Sequence, residues 1–171
     1  SLPTVTNNLN RLKADGLIHN SGFFESTGGR KANMLRCIPN ARYAAGIDIT
    51  RNHLSITIIN LDSTIIASKR IRIPFEDTDA YYHFAAGEMK ELIHANKIPK
   101  DKFLGTGISL PVIVGADQKS ITYASVIQVF EGIYPRIGRH IPPPFLLFND
   151  ANSGGLAEAW ISPSHRGEVY L

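Results

Sequence analysis

Cysteine is scarce in this sequence, and long apolar runs are absent. Cys37 is the single cysteine among 171 residues, which excludes an internal disulfide and a cysteine-rich zinc knuckle. We expect it to be a small buried side chain. No apolar run approaches the roughly 20 residues that a bilayer span needs, and no charged segment followed by an apolar one opens the chain. We therefore expect a soluble, cytoplasmic protein that has no membrane partner.

Catalytic and metal-binding patterns are also missing. The six histidines are scattered without the spacing of metal ligands, and no Ser/His/Asp or Cys/His arrangement can be assembled for nucleophilic catalysis. We expect neither a metal site nor a cofactor within these residues. Hydrophobic residues nevertheless make up 43% of the chain, which is enough to form a sizeable core.

The net charge of +3 is concentrated near the start of the chain. Five basic and two acidic residues lie up to Asn40, whereas the thirteen basic and thirteen acidic residues after it cancel. Such a distribution is typical of a phosphate-binding module attached to a neutral domain. The charge distribution therefore favours a nucleic-acid partner for the first 40 residues.

The first segment predicts an amphipathic helix that ends near Ala14, before a glycine. Val5, Leu9 and Leu12 recur at the i, i+4, i+7 spacing of one helical face. The opposite face carries polar side chains: Thr6, Asn7, Asn10 and Arg11. Asparagine and arginine can pair bidentately with adenine and guanine edges in the major groove. An ordinary solvent-facing helix is the alternative for this segment taken alone.

A basic hairpin is predicted after this helix. Residues 17–25 form an extended stretch, a glycine-rich turn reverses the chain, and residues 34–38 return. The turn places Arg30 and Lys31 at the hairpin tip, where long cationic side chains can reach a phosphate backbone or a minor groove. A helix followed by a strand, a glycine turn and a strand is the second half of a winged helix.

The remainder of the sequence predicts an α/β domain. The predicted elements are strands at 43–50, 54–61 and 65–73, a helix at 78–96, strands at 104–111 and 145–148, and a last helix through Trp160. Residues 118–123 predict a turn and a short strand, and residues 127–138 include a short helix. This order is that of the first half of an actin-like, ribonuclease-H-like domain.

The motifs resemble those of the ROK family (repressors, open reading frames and kinases), and in particular its regulator branch. Pro-Thr-Val-Thr at 3–6, Leu-x-x-x-Gly-Leu-Ile at 12–18 and Gly-Gly-Arg-Lys at 28–31 resemble the family's recognition helix and wing. The segments 46–48, 107–111 and 149–152 resemble two strands and the sugar-contacting corner of its actin-like domain. The resemblance implies a partial winged helix over residues 1–40 and the first part of a sugar-sensing domain over 41–171.

The resemblance departs from the kinase pattern at two places. In ROK kinases an aspartate is followed by a glycine pair whose backbone cradles ATP phosphates, whereas Asp48 is followed by Ile49, Thr50 and Arg51. Kinases also carry a glycine where this sequence has Val112, which we expect to narrow the sugar pocket. We therefore expect no enzymatic activity, with a hexose kinase as the alternative.

Asn149 and Asp150 are the sugar-binding residues that the resemblance implies. An adjacent amide and carboxylate supply the donors and acceptors that a vicinal diol requires. Asp150 would be the general base only in a kinase. Its other interpretation is a cap on a helix that begins at Ala151.

Together these expectations describe a sugar-responsive, DNA-binding repressor of carbohydrate genes. The expected DNA contacts are Thr4, Thr6, Asn7, Asn10 and Arg11 in the major groove, and Gly29, Arg30 and Lys31 on the backbone or in the minor groove. We expect a homodimer or higher homo-oligomer whose effector is a sugar, a sugar phosphate or a protein. The resemblance further implies that two helices would precede this chain and that a structural zinc site would lie beyond Leu171.

Overall fold

A helix and a two-stranded hairpin form the first part of the fold. The structure, a computed structural model, describes residues 2–23 and 33–161. Helix α1 (Leu2–Ala14) is followed by strands β1 (Ile18–Phe23) and β2 (Asn33–Cys37), which pair antiparallel with an irregularity between Asn20 and Gly22. The predicted helix and both strands of the hairpin are thus confirmed. The hairpin tip with Gly29, Arg30 and Lys31 lies outside the described residues.

Helix α1 ends as the sequence predicts. The Leu17 N–H donates to the Leu12 carbonyl at 2.9 Å and the Gly16 N–H donates to the Lys13 carbonyl at 3.0 Å, which is the hydrogen-bond pattern of a Schellman motif. Gly16 has φ +66°, a left-handed conformation that costs glycine little. Cys37 at the end of β2 is exposed, so the expectation of a buried cysteine was wrong, because one layer of hairpin does not enclose its side chains.

The second part of the fold alternates strands and helices around one five-stranded sheet. Its elements are β3 (Tyr43–Ile49), β4 (His53–Asn60), β5 (Ile65–Arg72), α2 (Asp79–Ala95), β6 (Phe103–Leu110), β7 (Val112–Val114), β8 (Ile121–Ala124), α3 (Ile133–Gly138), β9 (Phe145–Asn149) and α4 (Asp150–Ile161). The sheet order is β5-β4-β3-β6-β9, in which β3, β6 and β9 are parallel and β4 is antiparallel to its two neighbours. Strands β7 and β8 form a separate antiparallel ribbon.

The core lies between the sheet and helix α2. Alternate residues of β4, namely Leu54, Ile56 and Ile58, are fully buried, and the alternation follows from the two-residue period of a strand. Tyr82 and Met89 of α2 are also buried in this core. Burial of each such large apolar side chain contributes about 1.5–3 kcal/mol. The carboxyl ends of β3, β6 and β9 lie at one edge of this sheet because the three strands are parallel.

Close backbone packing sets β9 beside β6. The Thr106 N–H donates to the Pro144 carbonyl at 3.0 Å, and a Cβ on Gly105 would lie 2.4 Å from that same oxygen. Gly105 also has φ +144°, so both the space and the backbone conformation require glycine. The register that follows pairs Leu110 with Asn149. The end of β9 is thereby placed beside the point where β6 leads into the ribbon.

No helix in the described ranges is long and apolar enough to cross a membrane.

Candidate functional site

A cleft of about 390 Å³ lies between the β7–β8 ribbon and the junction of β9 with α4. Its lining residues are Ile113, Val114, Gly115, Ala116, Gln118, Leu147, Phe148, Asn149 and Asn152. The cleft combines apolar side chains with amide and backbone polar groups, and its volume falls in the usual range of sites for small molecules. The carboxyl edge of the parallel strands is where such sites form in α/β folds.

The loop that connects β7 with β8 is a fixed wall of the cleft. Asp117 Oδ1 accepts hydrogen bonds from Ser120 N (3.0 Å), Ser120 Oγ (2.8 Å) and Lys119 N (3.1 Å). The backbone and side-chain hydrogen bonds from Ser120 and Lys119 hold the pKa of Asp117 below its ordinary value. The Leu147 N–H donates to the Gln118 carbonyl at 3.1 Å, which ties the loop to β9. These hydrogen bonds hold this wall of the cleft in place without a ligand.

Asn149 joins the two sides of the cleft. Its Nδ2 donates to the Val112 carbonyl at 2.8 Å and to Asp150 Oδ1 at 3.2 Å, and its Oδ1 accepts from Asn152 N at 3.0 Å. The last bond is that of an N-cap side chain with the third residue of a helix. Asn149 therefore caps α4 and links it to β7, and its amide is already hydrogen-bonded at both ends.

Asp150 lies at the start of α4 and is exposed, outside the lining of the cleft. Its Oδ1 accepts from the Ala151 N–H at 2.8 Å. The alternative expectation, that Asp150 caps a helix beginning at Ala151, was wrong in its details. Helix α4 begins at Asp150 itself, and the capping side chain is Asn149.

Asn152 is a cleft residue that sequence reasoning did not single out. It lies in the first turn of α4, lines the cleft and is exposed. Its backbone N–H donates to Asn149 Oδ1. No described residue hydrogen-bonds its side chain. The second asparagine of the 149–152 motif was the available signal, and the structure places Asn152 in the lining of the cleft with Gln118 and Asn149.

Val112 does not narrow the cleft as expected. Its side chain is only 3% exposed and belongs to the core, while Ile113 and Val114 line the cleft. The pleat of β7 explains the difference between Val112 and Ile113, because successive side chains point to opposite faces of a strand. The pairing of β7 with β8 is irregular between Ile113 and Val114. Only the Val112 carbonyl takes part in the site, as the acceptor for Asn149.

Helix α1 presents its expected polar face to solvent. Thr4, Thr6, Asn7, Asn10 and Arg11 are all exposed. Arg11 lies 4.0 Å from Asp15 in an i, i+4 ion pair, with 84% of its side chain exposed. The apolar face is also open, since Val5 is 54% and Leu12 is 37% exposed. The structure thus keeps the predicted polar face on one side of the helix.

Comparison with known proteins decides the family. Residues 44–169 match the ROK family. The chain belongs to the ROK family. Its fold is shared with a solved ROK family transcriptional regulator, described as a homologue of the E. coli MLC protein, at a TM-score of 0.70 and 20% identity over 94% of this chain and 41% of that one. The ROK hexokinase from Thermus thermophilus matches with a TM-score of 0.55 and 16% identity, covering 68% of this chain and 38% of its own. The fold is therefore the actin-like fold of ROK proteins.

Curated relatives cover nearly all of this ROK chain. It is 24% identical over 166 residues to the xylose repressor of Bacillus subtilis (strain 168), covering 91% of this chain and 40% of the relative. It is 24% identical over 162 residues to the DNA-binding transcriptional dual regulator NagC of Escherichia coli (strain K12), covering 94% of this chain and 40% of NagC. The chain spans about two fifths of the length of these relatives.

The turn between β3 and β4 has no glycine pair in this ROK protein. The Thr50 N–H donates to the His53 carbonyl at 2.9 Å, and the His53 N–H donates to Thr50 Oγ1 at 3.1 Å. Arg51 donates from Nε and Nη2 to the Val126 carbonyl at 3.1 and 2.9 Å. Ile49 is 1% exposed and packs into the core. The polar groups of Thr50 and His53 thus bond within the turn, and the Arg51 side chain bonds to the segment after β8.

Proposed function

We propose that the protein carrying this chain is a sugar-responsive, DNA-binding transcriptional repressor of carbohydrate genes. The observation that carries the proposal is the order of elements: a helix with an exposed Asn/Arg face and an antiparallel hairpin come directly before the ROK domain. A relative named as a xylose repressor and the DNA-binding dual regulator NagC align over more than nine tenths of the chain. A cytoplasmic location follows from a chromosomal target.

The proposed DNA-binding surface consists of the α1 polar face and the hairpin tip. Thr4, Thr6, Asn7, Asn10 and Arg11 would contact the major groove, and Gly29, Arg30 and Lys31 would contact the backbone or the minor groove. One such surface reads only a few base pairs, so two copies on half-sites about 34 Å apart are proposed. The proposed assembly is therefore a homodimer or a higher homo-oligomer.

The proposed effector site is the cleft beside Asn149. The amides of Gln118 and Asn152 can pair with sugar hydroxyls, and Ile113 and Phe148 supply apolar surface for the C–H face of a sugar ring. Asn149 would support this site by fixing α4 against β7. Asp150, exposed at the start of α4, would accept a hydrogen bond from a sugar hydroxyl. A protein effector is the alternative to a sugar or sugar phosphate.

A sugar kinase is the second candidate, favoured by the exposed carboxylate of Asp150. The hydrogen-bonded β3–β4 turn argues against it, because a phosphate cradle needs backbone N–H groups that point at the ligand. The N–H groups of Thr50 and His53 already bond within the turn. We therefore propose that the protein binds sugar without transferring phosphate to it.

One experiment tests both candidates on the intact protein. Operator binding should be released by at least one sugar from a panel of pentoses, hexoses and amino sugars, while a coupled assay detects no ATP consumption with the same panel. Release by cell extract but by no sugar would favour the protein effector. ATP turnover that is abolished by Asp150→Asn would overturn the repressor proposal in favour of the kinase.

A further inference from the structure

The β7–β8 ribbon has an inner side and an outer side. Val114, Ile121 and Ala124 pack against the core. Ile113 and Tyr123 stand directly opposite each other on the two strands and are 55% and 59% exposed. Directly paired residues of antiparallel strands share one face of the sheet. The outer side therefore carries an isoleucine–tyrosine pair that adds little to the core.

This pair continues the wall of the cleft. Ile113 lines the cleft, so its cross-strand neighbour Tyr123 extends the same wall past the lining residues. The Thr122 hydroxyl donates to the Ile113 carbonyl at 3.2 Å, which adds a tie between the two strands. An apolar surface thus runs from inside the cleft to the exposed face of the Tyr123 ring.

Both ends of the ribbon are anchored to other elements. Asn149 holds the start of β7 through the Val112 carbonyl at 2.8 Å. Arg51 holds the segment after β8 through two hydrogen bonds to the Val126 carbonyl, at 3.1 and 2.9 Å. The backbone that presents Tyr123 is therefore ordered before any ligand arrives, which lowers the entropic cost of binding on it.

We propose that Tyr123 forms a second carbohydrate subsite, so that the effector class is a disaccharide, oligosaccharide or glycoside. The inference rests on the proposed function of the cleft as a sugar site. A first ring lies in the cleft against the amides of Gln118 and Asn152, and a second ring stacks its apolar C–H face on Tyr123. A tyrosine suits this role because it combines an apolar ring face with a hydroxyl that can hydrogen-bond at the rim.

The experiment measures sugar binding to the intact protein by isothermal titration calorimetry with matched probes. The pairs are xylose with xylobiose, glucose with cellobiose, and N-acetylglucosamine with its β-1,4 disaccharide. We expect wild type to bind one disaccharide about tenfold more tightly than its monosaccharide, which is the size of one well-packed aromatic contact. Tyr123→Ala should remove that preference and leave monosaccharide affinity within about twofold.

Two further variants separate the ring from general effects. Tyr123→Phe keeps the ring and should keep the disaccharide preference. Ile65→Ala removes a side chain that is 64% exposed on the edge strand β5, and it should change neither affinity.

Three results would overturn the subsite while leaving the cleft as a sugar site. They are equal affinities of wild type for both members of every pair, a preference that survives Tyr123→Ala, and an equal loss of both sugars in that variant. If wild type binds none of the six sugars, the proposed effector function fails, and the subsite fails with it.

Discussion

The side-chain amide of Asn60 donates from Nδ2 to Oδ1 of Asn40 at 3.1 Å. Asn60 is only 6% exposed at the end of β4, and its Oδ1 accepts from the N–H groups of Asp62 and Thr64 at 3.1 and 2.9 Å. The Leu61 N–H also donates to the Pro39 carbonyl at 2.9 Å. The segment that joins the hairpin to the ROK domain is therefore bonded to the β4–β5 turn rather than passing freely over it.

Replacement of Asn60 should destabilise the protein through this turn. Asn60→Ala removes the acceptor of two backbone N–H groups, and we expect the free energy of unfolding to fall by about 1–3 kcal/mol. Urea denaturation measures it. Asn52→Ala, an exposed asparagine in the β3–β4 turn, is the matched control and should be neutral. A double-mutant cycle with Asn40→Ala should give a coupling energy above zero, and strict additivity would contradict the pair.

Arg11 should contribute to sequence recognition. Arg11→Ala should weaken operator binding by about 1–3 kcal/mol, because a bidentate contact to a guanine edge is lost, while affinity for random DNA changes little. Fluorescence anisotropy with both DNAs measures the difference. Lys90→Ala removes an exposed charge from α2 and should leave both affinities unchanged. Equal losses on operator and random DNA for Arg11→Ala would refute base reading.

Lys31 should contribute to binding of any DNA. Lys31→Ala should weaken operator and random DNA alike, and the slope of log affinity against log salt should flatten by about one unit, because one phosphate contact is lost. Titrations at several salt concentrations measure this slope. An unchanged slope would mean that the hairpin tip does not touch the phosphate backbone.

Tyr81 and Tyr82 are neighbouring buried tyrosines, and only the hydroxyl of Tyr82 has a hydrogen-bond partner among the described residues. The Tyr82 hydroxyl donates to Asp77 Oδ1 at 2.7 Å, whereas the Tyr81 hydroxyl has no partner among the described residues. We expect Tyr82→Phe to lower the free energy of unfolding by about 1.5–3 kcal/mol, the range for hydrogen bonds to charged groups, and Tyr81→Phe to raise it by about 1 kcal/mol. Chemical denaturation of the two variants side by side tests this. Equal effects would contradict it.

Tyr81 should also make the fold sensitive to alkaline pH. Burial, followed by the charge of Asp48, raises the pKa of Tyr81 from 10.0 to about 12. The folded pKa lies above the unfolded value, so above pH 10.0 the tyrosine ionises more readily in the unfolded chain. The free energy of unfolding is therefore unaffected below pH 10.0 and falls as the pH rises toward about 12. Urea denaturation at pH 9 and pH 11 should show a smaller decline for Tyr81→Phe than for wild type. Ile65→Ala, at a side chain that is 64% exposed, should decline as wild type does.

The ion pair of Asp77 and Arg136 should stabilise the fold by holding the segment after β8 in place. Asp77 has a fully buried side chain that receives Arg136 Nε at 3.0 Å and the Phe130 N–H at 2.7 Å. Asp77→Ala leaves a partly buried guanidinium without its partner, so we expect a loss of about 3–5 kcal/mol in the free energy of unfolding. Removal of the exposed carboxylate in Asp62→Ala should cost far less. A loss below about 1 kcal/mol for Asp77→Ala would contradict the pair.

Local patterns predicted most of the elements. The spacing of Val5, Leu9 and Leu12 and the position of Gly16 gave the limits of α1, because helical periodicity and a C-terminal glycine act within a few residues. The buried run at 43–50, the β-branched run at 54–61 and the alternating residues at 65–73 predicted β3, β4 and β5, because strand patterns also act over a few residues. Strand β7 was missed, since a three-residue strand has no periodicity of its own and is defined only by its pairing with β8.

The sequence by itself determined the family, the α/β class and the polar face of α1, since these depend on residues close together along the chain. Only the tertiary structure decided the roles of individual cleft residues. Asn149 became a cap and a tie because the pairing of β6 with β9 brings it to the Val112 carbonyl, 37 positions earlier. Val112 turned inward and Ile113 outward because the register of β7 is set by its pairing with β8. Contacts between distant segments follow from register and packing, and no local pattern encodes them.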